Sequence, residues 1–158
     1  MEFDLGTAIL AGLVGTAVMT AVMYMGYMMN MRMDMPMMLG TMFLPKGPAA
    51  WAVGLMLHLM LGAIFFVVYA LLFDALSIES GIVGWSAIFG LVHGTVACMA
   101  MGMMPVMHPR MATAAGPMDE DRVANPGIFA TSFGLMGPMA LLALHLIFGV
   151  VGGLVYSA

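Results

Sequence analysis

Charge is scarce in this chain, with four basic and eight acidic side chains among 158 residues, and cysteine is scarcer, with Cys98 alone. A lone cysteine excludes an intramolecular disulfide framework. So little charge excludes an ordinary soluble domain, in which about a quarter of the residues are charged. A net charge of -4 without a basic patch gives no reason to expect nucleic acid as a partner. Whole stretches hold no charge at all: 5–31, 47–73, 80–109 and 123–158. With no carboxylate or lysine inside these runs, a proton relay and a retinal Schiff base both lack their residues. No Ser or Cys has a base and an orienting group around it, so the chain is not expected to be an enzyme.

What remains is apolar: 63% of residues are hydrophobic and 23 are methionine. Each uncharged run exceeds the ~20 apolar residues that cross a bilayer. An all-α integral membrane protein is therefore expected, a single domain over 1–158 with transmembrane helices at 6–27, 50–73, 81–104 and 134–156. "MEFDLG" lacks the basic stretch of a cleaved signal, so the first helix reads as retained. Arg32 and Lys46 fall between the first two helices, and Arg110 and Arg122 between the last two. Glu2, Asp4, Asp74 and Glu79 flank the other ends. Basic connections stay in the cytoplasm, which predicts both termini outside.

The chain also echoes itself. "LHLMLGAIFFVVY" at 57–69 and "LHLIFGVVGGLVY" at 144–156 align His58 with His145, Gly62 with Gly149 and Tyr69 with Tyr156. "AGLVGTAVM" in the first helix is echoed by "FGLVHGTVACM" in the third. Two tandem parallel-repeat hairpins follow, about 5–73 and 81–157, with a Met-rich cytoplasmic segment at 28–48 and a cytoplasmic loop at 105–127. Offsets of 4 and 11 put each His, Gly and Tyr on one helix face. The glycine would let a backbone or a flat ligand approach the histidine. Each tyrosine is expected as an interfacial aromatic.

Histidine inside a membrane is costly and a functional candidate. Flanking charges place His58, His93 and, by the repeat, His145 near mid-membrane. His58 and His145 could supply two axial nitrogens to a haem or related pigment, with Gly62 and Gly149 as clearance. His93 would then be a neighbour of these ligands, or all three would hold one metal ion. The structural alternative is neutral histidines hydrogen-bonded across the bundle, to a carbonyl or to Thr95.

Methionine poses the second question. "MNMRMDMPMML" at 29–39 alternates its methionines, and an extended chain would present Met31, Met33, Met35 and Met37 on one side. With Met38, such thioethers suit Cu(I). Asp34 followed by Pro36 predicts instead a short capped helix over 35–43, with Met38 and Met42 on one side. Met19 and Met23, and Met99, Met103 and Met107, recur at i, i+4, the spacing of a ligand ladder and equally of a packed stripe. Asp119, Glu120 and Asp121 form the one acidic cluster, read as a solvated loop with Arg122 nearby.

"MDMPMMLGTMF", "WAVGLMLHLMLGAIFFVVYALLF" and the glycine-rich third helix resemble small four-helix bacterial membrane proteins grouped under a domain of unknown function. That family's MDxxxMLG and HxxxGxxxxxxY patterns match Asp34, Leu39, Gly40, His58, Gly62 and Tyr69. The resemblance covers about three quarters of the chain. It implies a four-span fold in the bacterial plasma (inner) membrane, and no particular activity. Three functions remain open: a non-catalytic accessory subunit of a larger membrane complex, or a homo-oligomer, packing in the lipid bilayer; a Cu(I) binder or transporter; and a haem or pigment carrier.

Overall fold

The computed structural model describes residues 3–29, 33–112 and 121–158. Glu2, Met31, Arg32, Asp119 and Glu120, singled out above, lie outside the described residues. Four long helices dominate: α1 (Leu5–Met25), α3 (Pro48–Ala75), α4 (Ile82–Met101) and α6 (Met136–Tyr156), each long and apolar enough to cross a membrane. Two short helices, α2 (Met35–Gly40) and α5 (Met104–Met107), lie in the connections. Two 3-10 turns, Gly26–Met29 and Ile128–Phe133, complete the helical elements, and no strand forms among the described residues. Met111 and Val123 make an isolated bridge.

Local chemistry sets the ends. The Asp4 carboxylate accepts the Thr7 amide at 2.9 Å, capping α1, and this bond holds its carboxyl below the usual aspartate value. Gly81, at φ +67°, offers its carbonyl to Trp85 N–H as α4 begins. The expected third span ran to 104, but α4 stops at Met101. Gly102 and Met103 bond back to Met99 and Ala100, three residues earlier, which tightens the last turn and closes the helix.

The chain divides into two compact units. Unit 1 comprises Met1–Met23, Leu59–Gly94 and Leu142–Ala158; unit 2 comprises Tyr24–His58 and Thr95–Leu141.

Unit 1 is packed on glycine and aromatic rings. The buried positions of α1 within it run Ala8, Ala11, Gly12, Gly15, Thr16, Met19, Thr20, Met23, a helical stripe of mostly small residues. Thr16 and Thr20 satisfy their hydroxyls on the carbonyls one turn back, at 2.8 and 2.7 Å. With no side chain at Gly12, α1 meets the backbone of Gly62 and Ala63 on α3. Gly149 on α6 likewise meets Ser86 and Ala87 on α4. Helices without side chains at the contact approach closely, and this dispersion packing holds them in an apolar solvent. Gly15 and Gly152 receive the Phe148 and Phe66 rings. Phe66, Tyr69, Phe73, Phe89, Phe148 and Tyr156 then interlock with ring centroids 5.5 to 6.0 Å apart.

Unit 2 is organised by α2. Asp34 caps it, accepting the Met37 amide at 2.8 Å, and proline stands in its first turn. Gly40 packs on the Ala50 backbone and Gly54 on the Pro36 carbonyl, so α2 lies directly on the first turns of α3. The helix is shorter than the expected 35–43. Thr41 closes it by donating its hydroxyl to the Met37 carbonyl at 2.8 Å.

Candidate functional site

The residues that carry chemistry gather in one place within each unit. In unit 1, α3 and α4 bring Tyr69 and His93 together, with the phenol oxygen 3.1 Å from His93 Nδ1. His93 is half-buried, its ring 3.9 Å from that of Phe65 and 4.9 Å from that of His145. His145, 7% exposed, is seated by α4 glycines: Gly90 meets its carbonyl and Gly94 its side chain. Thus buried Tyr69 and His145 and half-buried His93 form one group, edged by Phe148.

His58, also buried, belongs to unit 2, whereas its repeat counterpart His145 belongs to unit 1. Gly62 and Gly149 are each filled against a neighbouring helix: Thr16 with the Gly12 carbonyl at the first, Ser86 with Ala87 at the second. What these glycines accommodate is a helix. Among the described residues no group of three His, Cys, Asp or Glu side chains is placed to hold a metal ion. Both repeat tyrosines, expected as interfacial aromatics, are buried at 3% and 4% exposure. Tyr69 turns to His93, and the Tyr156 hydroxyl accepts the Asp4 amide at 3.3 Å.

Ser86 adds an oddity to unit 1. Its hydroxyl is fully buried beneath Gly153 and, among the described residues, has no hydrogen-bond partner. Such a group costs stability, and here the close approach of α6 to α4 imposes it.

In unit 2 the methionine segment builds a cavity of about 370 Å³. Met33, Met37, Met38 and Met101 line it with Val123, Ala124, Pro126 and Phe133; Asp34, Lys46 and Arg122 supply its charges. The alternating arrangement does not persist, because Met35 and Met37 lie in α2 and are not extended. Helical geometry sends Met37 and Met38 to the cavity, and Met35 is not in its lining. Met19 and Met23 are buried on the α1 stripe in unit 1, while Met99 and Met103 in unit 2 are 55% and 64% exposed. The two i, i+4 ladders therefore have opposite environments.

A polar framework braces this cavity. Trp51 Nε1 donates to the Tyr24 hydroxyl at 2.6 Å, and Tyr24 donates to Asp34 at 2.9 Å. Behind α2, His108 Nδ1 accepts the Arg110 amide at 3.1 Å, so Nε2 carries the proton. Nε2 donates to the Met38 carbonyl at 2.8 Å and stands 3.3 Å from the Thr41 hydroxyl. Arg110 Nη1 donates to the Thr41 carbonyl at 3.1 Å. Sequence reasoning missed Tyr24, Thr41, Trp51, Met101, His108 and Arg110. The hydrogen bonds that tie these side chains across the unit join residues 10 to 70 apart, beyond any local pattern.

Four apolar helices of spanning length make this a multi-pass helical membrane protein, with apolar faces suited to lipid. Compared with protein-family models, curated proteins and solved structures, the chain matches none.

Proposed function

We propose that this is a non-catalytic packing protein of the bacterial inner membrane, acting as an accessory subunit of a larger membrane complex or as a homo-oligomer. The observation that carries this reading is the filling of both HxxxG glycines by neighbouring helices, Gly62 by α1 and Gly149 by α4. The features that first suggested a cofactor thus have a packing role. That both glycines seat the preceding long helix also supports two tandem hairpins. The basic residues Lys46, Arg110 and Arg122 fall between α1 and α3 or between α4 and α6, which supports both termini outside. The likeness to the small four-helix bacterial family belongs to the same reading.

Cross-linking in native membranes, followed by purification in mild detergent, tests it. The expected product is a discrete assembly, of this chain alone or with other membrane proteins. A chain recovered only as a monomer under all cross-linking conditions would sink the proposal.

A second reading, soft-metal binding, has one observation in its favour: Met33, Met37 and Met38 share a cavity with Met101. Thioethers are neutral ligands for Cu(I). Two cations in the same wall, Lys46 and Arg122, weigh against a bound cation.

A further inference from the structure

The unit 2 cavity fits a different ligand better. Only four basic residues exist in the chain, and Lys46 and Arg122 both line this one cavity. Arg110 is engaged elsewhere, on the Thr41 carbonyl. Among the described residues the one acid facing the cavity is Asp34, and it already accepts the Tyr24 hydroxyl and the Met37 amide. The described lining therefore sets two basic side chains and one acidic one beside flexible apolar walls. Thioether side chains re-pack around irregular apolar groups, and a volume of about 370 Å³ lies within the roughly 300–1,000 Å³ of small-molecule pockets.

Topology adds where such a ligand would come from. The lining comes from the connection between α1 and α3, the last residue of α4 and the connection between α4 and α6. For helices that cross a bilayer, these connections emerge on the same membrane face, at the level of the lipid headgroups. Basic pockets at that level, between spanning helices, suit anionic headgroups.

We infer that the cavity binds the phosphodiester headgroup of an anionic membrane lipid. Lys46 and Arg122 pair with the phosphate, and Met33, Met37, Met38 and Met101 receive the start of one acyl chain. This rests on α1, α3, α4 and α6 being membrane spans and not on the accessory role, so it stands or falls separately from that role.

The test is native mass spectrometry of the full chain in detergent, titrated in parallel with phosphatidylglycerol, phosphatidylcholine, oleate and Ag⁺ as a Cu(I) mimic. Phosphatidylglycerol should be retained in preference to phosphatidylcholine, and raised salt should weaken it. Lys46→Gln should lower its affinity about fivefold, and Lys46→Gln with Arg122→Gln about 25-fold. Lys46 is exposed and among the described residues makes one bond, 3.4 Å to the Arg122 carbonyl, so the single variant should fold, with circular dichroism as the check. Met35→Leu, outside the lining, should leave lipid retention unchanged. Equal retention of the two phospholipids, or an unchanged affinity in the double variant, would overturn the inference. So would retention of oleate without phosphatidylglycerol, or of stoichiometric Ag⁺ that Met37→Leu abolishes.

Discussion

Unit 1 and unit 2 contain buried histidine and closely packed glycine alike, yet they are held together in different ways. In unit 1 helices touch backbone to backbone and the space between them is filled by rings; its described charges, Asp4, Asp74 and Glu79, are all acidic. Unit 2 contains every described basic residue and is knitted by side chains reaching backbone carbonyls across 69 to 76 residues of sequence. The difference shows two answers to the same solvent. Within an apolar medium the hydrophobic effect gives helices no reason to associate, so shape must do it. In the connections the backbone leaves its helices, and each freed carbonyl or amide requires a named partner.

The largest effects should come from the glycine contacts, since backbone cannot move aside as a side chain does. Gly12→Val in unit 1 and Gly54→Val in unit 2 should each cost on the order of 3 kcal/mol or prevent folding, read as loss of thermal stability or of a monodisperse peak in detergent. If either is tolerated, the close approach at that helix pair is not what holds its unit.

A hydrogen-bond pair sharpens the contrast. His108→Leu removes one of the bonds to the Met38 carbonyl and leaves the Arg110 amide without its side-chain partner, and should cost about 1–3 kcal/mol. Tyr69→Phe removes one bond to His93 but keeps the ring packing, and should cost only about 0.6 kcal/mol. Thermal unfolding should rank them in that order. The reverse order would mean that the Tyr69–His93–His145 group is the more critical polar element.

Much of this fold was legible in the sequence because it depends on local pattern. Uncharged runs gave the four spans, and Asp34 with Pro36 announced the cap of α2. The HxxxG spacing marked Gly62 and Gly149 as places of close approach, but spacing cannot say what approaches. There a helix and a macrocycle ask the same of a sequence. The candidate site was less legible. Met33, Met37 and Met38 were singled out, but Met101 joins them from the end of α4 and Arg122 from the far connection. Likewise His108 gives no local sign that it will latch α2, because its partners Met38 and Thr41 lie in the first connection.

Smaller effects complete the series. Ser86→Ala removes a buried hydroxyl that has no partner among the described residues, so stability should stay level or rise by a few tenths of a kcal/mol. A clear loss would reveal a partner for that oxygen in the bilayer. The least effect is a pH dependence at the start of α1. Bonding to Thr7 depresses the Asp4 carboxyl, so its contribution is fully present above the ordinary aspartate value and is lost as pH falls through the lowered one. Melting temperature followed from about pH 5 to about pH 2 should fall less steeply in Asp4→Ala than in the parent chain. Parallel curves would assign the acid sensitivity to other groups.

The most direct measurement is a visible spectrum combined with elemental analysis of protein purified in mild detergent without chelator or affinity metal. If the histidines and glycines serve packing, the folded protein is colourless and carries no stoichiometric metal. A Soret band that disappears in His58→Ala or His145→Ala, or near-stoichiometric copper that Met33→Leu and Met37→Leu remove, would contradict that and return these residues to a ligand site.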